Sequence, residues 1–254
     1  GKDLPLVCAM LLRFVIAANG KHLINGPHIV LSVPSTLNDS ERRSLSGSLF
    51  ETGARRTQII DRSIAAALGA DLPIGEAYGS MIVDIGGTLT DIAVLSMGGS
   101  VVSENVPLGG ESFDDAITRY IRRKHNLLIG EITAEEIKIR IGSVMPRRNE
   151  LYLDVTGRDL ISGLPKTLRI TSDEVLEAME EPLQELIEVI HAVLERTPAE
   201  LAADIFDNGI FLSGGGAMLD GLADAISIAL KINCRVADQP QECIARGCGL
   251  TMEK

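Results

Sequence analysis

The stretch Val83–Leu95, V-D-I-G-G-T-L-T-D-I-A-V-L, decides how the rest of the chain is read. An apolar run enters the pair Gly86-Gly87 and a second apolar run leaves it, so the spacing predicts two strands joined by a tight turn. Glycine lets backbone N–H groups approach an anion with no Cβ in the way. The hydroxyls of Thr88 and Thr90 can add hydrogen bonds to a phosphate, and Asp84 and Asp91 can orient a hydrated Mg2+. An ordinary hairpin with a glycine turn satisfies the same pattern. Leu89 also stands where a hydroxyl or amide would serve a phosphate better.

Composition narrows the classes. A chain of 254 residues can build one large or two modest domains with real cores. With 45% hydrophobic and 23% charged residues it has the balance of a soluble globular protein rather than a disordered one. Aromatics are scarce at 3%, which leaves few stacking platforms for single-stranded nucleic acid. The net charge of −11 repels phosphate backbones, so no nucleic-acid partner is expected. Cys8, Cys234, Cys243 and Cys248 show no metal or redox spacing and read as reduced core thiols of a cytosolic chain. No segment reaches the roughly 18 uninterrupted apolar residues that suggest a membrane span. Arg13 interrupts the opening apolar run, which favours a buried helix over a signal peptide.

Strands and helices interleave along the rest, predicting an α/β class with mixed sheets covered by helices on both faces. Helical spacing runs over 6–18, 39–52 and 112–124, the last with Phe113, Ile117 and Ile121 on one face. Thr133-Ala134-Glu135-Glu136 reads as a capping box that starts a helix at Ala134. Pro182 separates two expected helices, 173–180 and 182–196, and Thr197-Pro198 opens another. Buried strands are expected at 28–35 and from Ile210, with a short strand at Ile59-Ile60. The segment 151–170 alternates like a hairpin, with turns at Gly157 and at Gly163-Leu164-Pro165.

Other candidates follow from residue type and spacing. Ser213-Gly214-Gly215-Gly216-Ala217 joins a buried strand to a helix start, a junction that suits a phosphate or the sugar and base of a nucleotide. Glu135 and Lys138 lie three apart and share a helix face, where they can grip ribose hydroxyls or form a solvated ion pair. His22-Leu23-Ile24, beside Lys21, can dip into a lipid surface or tuck against its own domain. There is no catalytic triad, nucleophile elbow or Walker P-loop.

Several blocks together resemble the MreB/Mbl family of bacterial actin-like proteins. They are V-P-S followed by E-R-R, A-A-A-L-G-A-D-L-P, G-S-M-I-V-D-I-G-G, V-P-L-G-G-E-S-F-D-D-A-I, N-L-L-I-G-E-I-T-A-E-E-I-K-I-R-I-G-S, G-R-D-L-I-S-G-L-P, L-E-R-T-P-A-E-L-A-A-D-I and L-S-G-G-G-A-M-L-D-G-L. The likeness runs from about Leu11 to the C-terminus. It implies the actin-like ATPase (ribonuclease H-like) fold of two lobes, the first incomplete because the chain starts after the family's first phosphate hairpin. It also implies a division into 1–77 with 240–254 (subdomain IA), 78–120 with 176–239 (IIA) and 121–175 (IIB).

By the same resemblance the chain binds ATP with Mg2+ between the lobes. It forms filaments at the inner face of the cell membrane and guides the cell-wall elongation machinery that sets rod shape. Gly86, Gly87 and Thr88 fall on the family's second phosphate hairpin, beside the Thr90 hydroxyl and the Asp84 carboxylate that residue type assigns to the phosphate and, through water, to the metal. Glu135, Glu136, Ile137 and Lys138 fall on a ribose-binding helix, and Gly214, Gly215, Gly216 and Ala217 on an adenosine loop. His22-Leu23-Ile24 matches the family's membrane loop.

Two motifs depart from the family pattern, the second also by exchanging a glycine for Thr88. Its E-E-P-M-A-A-A becomes D-R-S-I-A-A-A here, so the glutamate that positions the attacking water falls on Arg62. Its D-I-G-G-G-T-T becomes D-I-G-G-T-L-T, so the water-polarising threonine falls on Leu89. A guanidinium is no base and a leucine cannot hydrogen-bond water, so nucleotide binding with impaired hydrolysis is expected. The rival readings are an ATP-dependent enzyme of the sugar kinase or Hsp70 type and a degenerate homologue without function.

Overall fold

A computed structural model describes residues 4–19, 26–51 and 53–252. The chain forms two compact units, one of residues 1–72 with 242–254 and one of residues 73–241.

The first unit opens with α1 (Leu4–Asn19), then β1 (His28–Val33), α2 (Asp39–Glu51), β2 (Arg56–Asp61) and α3 (Arg62–Gly69). β1 and β2 pair in parallel, with His28 opposite Arg56 and Val33 opposite Asp61, and α2 is the crossover between them. β1 is less buried than its apolar sequence suggests, since only Val33 is fully covered. At the end of β2, Asp61 pairs with Arg42 of α2.

The second unit is built on a five-stranded sheet. Its strands are β3 (Ser80–Ile85), β4 (Thr90–Ser96), β5 (Gly99–Val106), β9 (Ile210–Ser213) and β10 (Cys234–Val236), in the order β10-β9-β3-β4-β5. β3 runs antiparallel to β4 and parallel to β9, so the glycine corner after β3 and the triple glycine after β9 leave the sheet at the same end. Every residue of β3 is buried, which is why it reads as apolar along Met81-Ile82-Val83 and at Ile85, with Asp84 its only charge.

Between β5 and β9 come α4 (Gly110–His125), β6 (Leu127–Leu128), α5 (Glu131–Ile141), β7 (Tyr152–Asp159), β8 (Pro165–Thr171), α6 (Ser172–Glu195) and α7 (Ala199–Asn208). β6, β7 and β8 form a small antiparallel sheet. α4 buries Phe113, Ile117 and Ile121, the expected face, together with Ala116 and Tyr120. Phe113, Ile117, Tyr120 and Ile121 join Val83, Ile85, Ile92, Ile137, Met179, Leu186 and Ile190 in one core. A 3-10 turn (Gly215–Met218) and α8 (Leu222–Leu230) follow β9. The chain then returns to the first unit as α9 (Cys243–Leu250), which crosses α3 at Gly69 and Gly247, where a Cβ on either would collide with a backbone carbonyl of the partner helix.

Three local expectations are corrected. α6 is one helix through Pro182. Proline in a helix interior costs about 3 kcal/mol, and each buried large apolar side chain offsets about 1.5–3 kcal/mol of that. Val175, Met179, Leu183, Leu186, Ile190 and Val193 are all buried along α6, and a complete Thr171–Glu174 capping box fixes its start. α5 starts at Glu131, three residues before Ala134, and the Ala134 N–H already donates to Gly130 O at 3.1 Å. Gly157 lies inside β7, where its missing Cβ makes room for Leu128 O. Cys234 and Cys243 are buried free thiols and Cys248 is partly exposed. No helix among the described residues is long and apolar enough to cross a membrane.

Candidate functional site

The site grows out of the turn after β3. The Gly86 N–H donates to Leu89 O at 2.9 Å and closes the corner. The first N–H groups of α4 then take the corner's carbonyls, Gly110 N donating to Gly86 O at 2.9 Å and Glu111 N to Gly87 O at 2.8 Å. The Gly87 and Thr88 N–H groups find no acceptor among the described residues. Bare donors beside a helix start are what an anion needs. Gly109 permits the seam, since a Cβ there would collide with Gly87 O.

The second corner follows β9. Gly214 adopts φ +83°, a conformation that costs L-residues, and a Cβ on Gly214 or Gly216 would strike Ile85. The second corner therefore packs on Ile85, at the end of β3 from which the first corner leaves. Beneath them Ser213 Oγ donates to Asp84 Oδ1 at 2.8 Å.

α5 supplies the third wall. Lys138 Nζ donates to Asp114 Oδ2 at 2.7 Å and to Gly110 O at 2.8 Å, tying α5 to α4. Burial lifts the Asp114 carboxyl above its ordinary value, and the hydrogen bond and charge of Lys138 oppose that rise. After α5, Arg147 donates to Gly142 O at 2.9 Å and pairs with Asp220 at 2.7 Å, while the Val144 N–H reaches Asp220 O at 3.0 Å. These bonds join the end of α5 to the segment after the triple glycine.

Together the walls enclose a cavity of about 460 Å³ within the second unit. Of the residues expected from sequence, Gly86, Gly87, Glu135, Lys138, Gly215 and Gly216 line it. Thr88 is exposed on the first corner, with half-buried Leu89 beside it. Thr90, expected to offer its hydroxyl to phosphate, is fully buried and donates to Leu108 O at 2.6 Å instead. Glu136 turns outward to pair with Arg140, Ile137 belongs to the core, and Ala217 is buried behind Gly216. Asp84 is fully buried, so its carboxylate offers no face to the water shell of a hydrated Mg2+. Among the described residues no group of three or more His, Cys, Asp or Glu gathers to hold a metal. Arg62 opens α3 in the first unit. His22, Leu23 and Ile24 lie outside the described residues.

Sequence reasoning passed over other lining residues, among them Gly110, Ile139, Arg147, Met218, Asp220 and Gln241. The glycine doublet before α4 was a usable signal. The Arg147–Asp220 pair spans 73 positions of chain and leaves no mark in local pattern.

A family profile described as MreB/Mbl protein matches residues 2–254. The chain is 39% identical over 251 residues to the cell shape-determining protein Mbl of Bacillus subtilis, covering 99% of this chain and 75% of that one. It is 41% identical over 245 residues to the cell shape-determining protein MreB of Escherichia coli, covering 96% and 71%. Among solved structures, MreB5 of Spiroplasma citri bound to ADP superposes with a TM-score of 0.92 at 33% identity, covering 99% of this chain and 75% of that one. The same protein bound to AMPPNP gives 0.93. The MamK double helical filament, at 20% identity and a TM-score of 0.80, shares the fold. Matched by the family profile along almost its whole length, and 39% and 41% identical to the Mbl and MreB relatives, the chain belongs to the MreB/Mbl family.

Proposed function

We propose that this chain is an actin-like cytoskeletal protein that binds ATP in the cavity of its second unit. The observation that carries this reading is the shared cavity, in which two glycine corners face the Glu135 and Lys138 wall of α5. The phosphates lie at the bare N–H groups of Gly87 and Thr88, with Gly86 behind them. The sugar lies at Glu135 and Lys138, and the base against Gly215, Gly216 and the apolar side chains of Ile139 and Met218. Solved MreB5 structures bound to ADP and to AMPPNP support the ligand class. Mg2+ enters with the triphosphate as its counter-ion. In family terms, residues 1–77 with 240–254 are subdomain IA, 78–120 with 176–239 are IIA and 121–175 are IIB.

Hydrolysis is slow, because Arg62 and Leu89 replace the groups that would position and polarise water. General base catalysis and positioned donors are each worth about 10²-fold or more. The protein polymerises, attaches to the inner membrane surface through His22-Leu23-Ile24, and helps determine rod shape by guiding cell-wall synthesis. Its relatives' description as cell shape-determining proteins supports this role.

One set of measurements tests the reading. Calorimetric titration with Mg-ATP should show saturable binding, and phosphate release should rise when Arg62→Glu and Leu89→Thr are introduced together. Sedimentation of the same samples should show ATP-dependent pelleting that increases with anionic vesicles. Absence of nucleotide binding sinks the proposal. Release that is unchanged by the double substitution sinks its hydrolysis clause, and ATP-independent solubility sinks assembly.

A further inference from the structure

Lys138 is an unexpected wall for a cavity that holds a polyphosphate, because its charge is already matched. Its ammonium donates to Asp114 Oδ2 and Gly110 O, and the Lys138 and Asp114 side chains are only 14% and 12% exposed. An ammonium carries three donors. Two are committed within the protein, and one is left for whatever occupies the cavity.

Asp114 bears a cost for this arrangement. Its Oδ1 is buried with no hydrogen-bond partner among the described residues. A buried, unpaired polar atom is destabilising. Asp115, the next residue, faces solvent and escapes that cost. The strain on Asp114 falls on the residue that reaches from α4 to a lysine of α5, beside a seam where a Cβ on Gly110 would stand 3.3 Å from Lys138 Nζ.

We propose that Asp114 is a positioning residue of the nucleotide site. It holds the Lys138 ammonium, charge-compensated, against Gly110 O, so that the remaining N–H donates to a sugar hydroxyl rather than pairing with a phosphate. This rests on the nucleotide reading of the cavity. A compensated ammonium has lost most of its Coulomb attraction for a polyphosphate but keeps a directed donor, which suits a neutral hydroxyl. The phosphates are left to the glycine corner.

The test is calorimetric titration of ATP, 2′-deoxy-ATP and 3′-deoxy-ATP into the unsubstituted protein, Asp114→Asn, Lys138→Met and the double variant. The unsubstituted protein should prefer ATP over at least one deoxy analogue by about tenfold, the worth of a charge-assisted hydrogen bond. Asp114→Asn should weaken ATP by a similar factor, erase the preference, and cost nothing further in the Lys138→Met background. Equal weakening of ATP and both analogues, or additive losses in the double variant, overturns the positioning role and leaves the nucleotide reading standing. An unsubstituted protein that binds no nucleotide sinks the nucleotide reading itself.

If Asp114→Asn does not fold, the unsubstituted protein still decides. A held Lys138 ammonium gives a slowly exchanging nitrogen-15 amine resonance without nucleotide. That resonance, with the deoxy preference lost in Lys138→Met, supports the clamp, and its absence overturns it.

Discussion

Two glycine turns in the second unit do opposite things with their backbones. In the turn between β7 and β8, Asp159 Oδ1 accepts the N–H groups of Ile161 and Ser162, both at 2.8 Å, and Lys166 closes on the same carboxylate at 3.1 Å. Its donors are all taken, the Leu160 N–H by Asn126 O and the others by groups of the hairpin, and what it presents to solvent is chiefly Ile161 and Leu164. In the turn between β3 and β4 it is the carbonyls that are satisfied, by the start of α4, and the Gly87 and Thr88 donors are left over. A glycine turn becomes a ligand site when a neighbouring element takes its acceptors and nothing takes its donors. Sequence spacing is blind to that distinction.

The strongest way to break the comparison is Gly109→Val. A side chain there must displace Gly87 O, so the seam that holds the first corner opens. Overpacking of this kind costs about 1–3 kcal/mol, and ATP affinity should fall at least about tenfold with it. Urea unfolding and calorimetry read the two effects, and a variant that binds ATP normally would remove the seam from the account.

A paired substitution sharpens it. An added Cβ on Gly87 meets only Glu111 Oε1, at 3.7 Å, so Gly87→Ala should leave stability within about 0.5 kcal/mol while weakening ATP. Gly163, at φ +74°, should behave in the reverse sense: Gly163→Ala loses about 1 kcal/mol of stability with ATP affinity unchanged. The same loss of ATP affinity in both variants would erase the difference between the turns.

The subtlest probe is pH. The Ser162 N–H, Lys166 and the Ile161 N–H hold the Asp159 carboxyl down at about 2, from an ordinary 3.8. A carboxyl depressed on folding stabilises the protein above its ordinary value, and that contribution is lost as pH falls through the folded value. Asp159→Asn should therefore lower the urea midpoint at pH 7, with the difference from the unsubstituted protein shrinking between pH about 4 and about 2. A difference independent of pH would assign the effect to packing rather than charge.

Much of the second unit was legible beforehand. The helical face of Phe113, Ile117 and Ile121 and the apolar strands around Gly86-Gly87 were periodic signals that burial alone enforces. Errors came where a distant partner overruled a local rule. Pro182 reads as a break until the apolar residues flanking it find a core, and Gly157 reads as a turn until Leu128 O fills the space of its missing Cβ. At the site, the two glycine corners and the Glu135/Lys138 pair were visible as types and spacings. The Asp114 clamp on Lys138 and the Arg147–Asp220 closure were not, because each joins side chains far apart in the chain.

The order of apolar runs, the glycine positions and the family blocks are one-dimensional properties, and the amino-acid sequence settled them by itself. Which donors stay unpaired, which lysine has its charge already matched and which threonine turns inward were decided only when β3 and β9 came to lie side by side with α4 and α5 across their ends. Hydrogen-bond satisfaction and burial are properties of neighbours in space, and no window along the chain contains those neighbours.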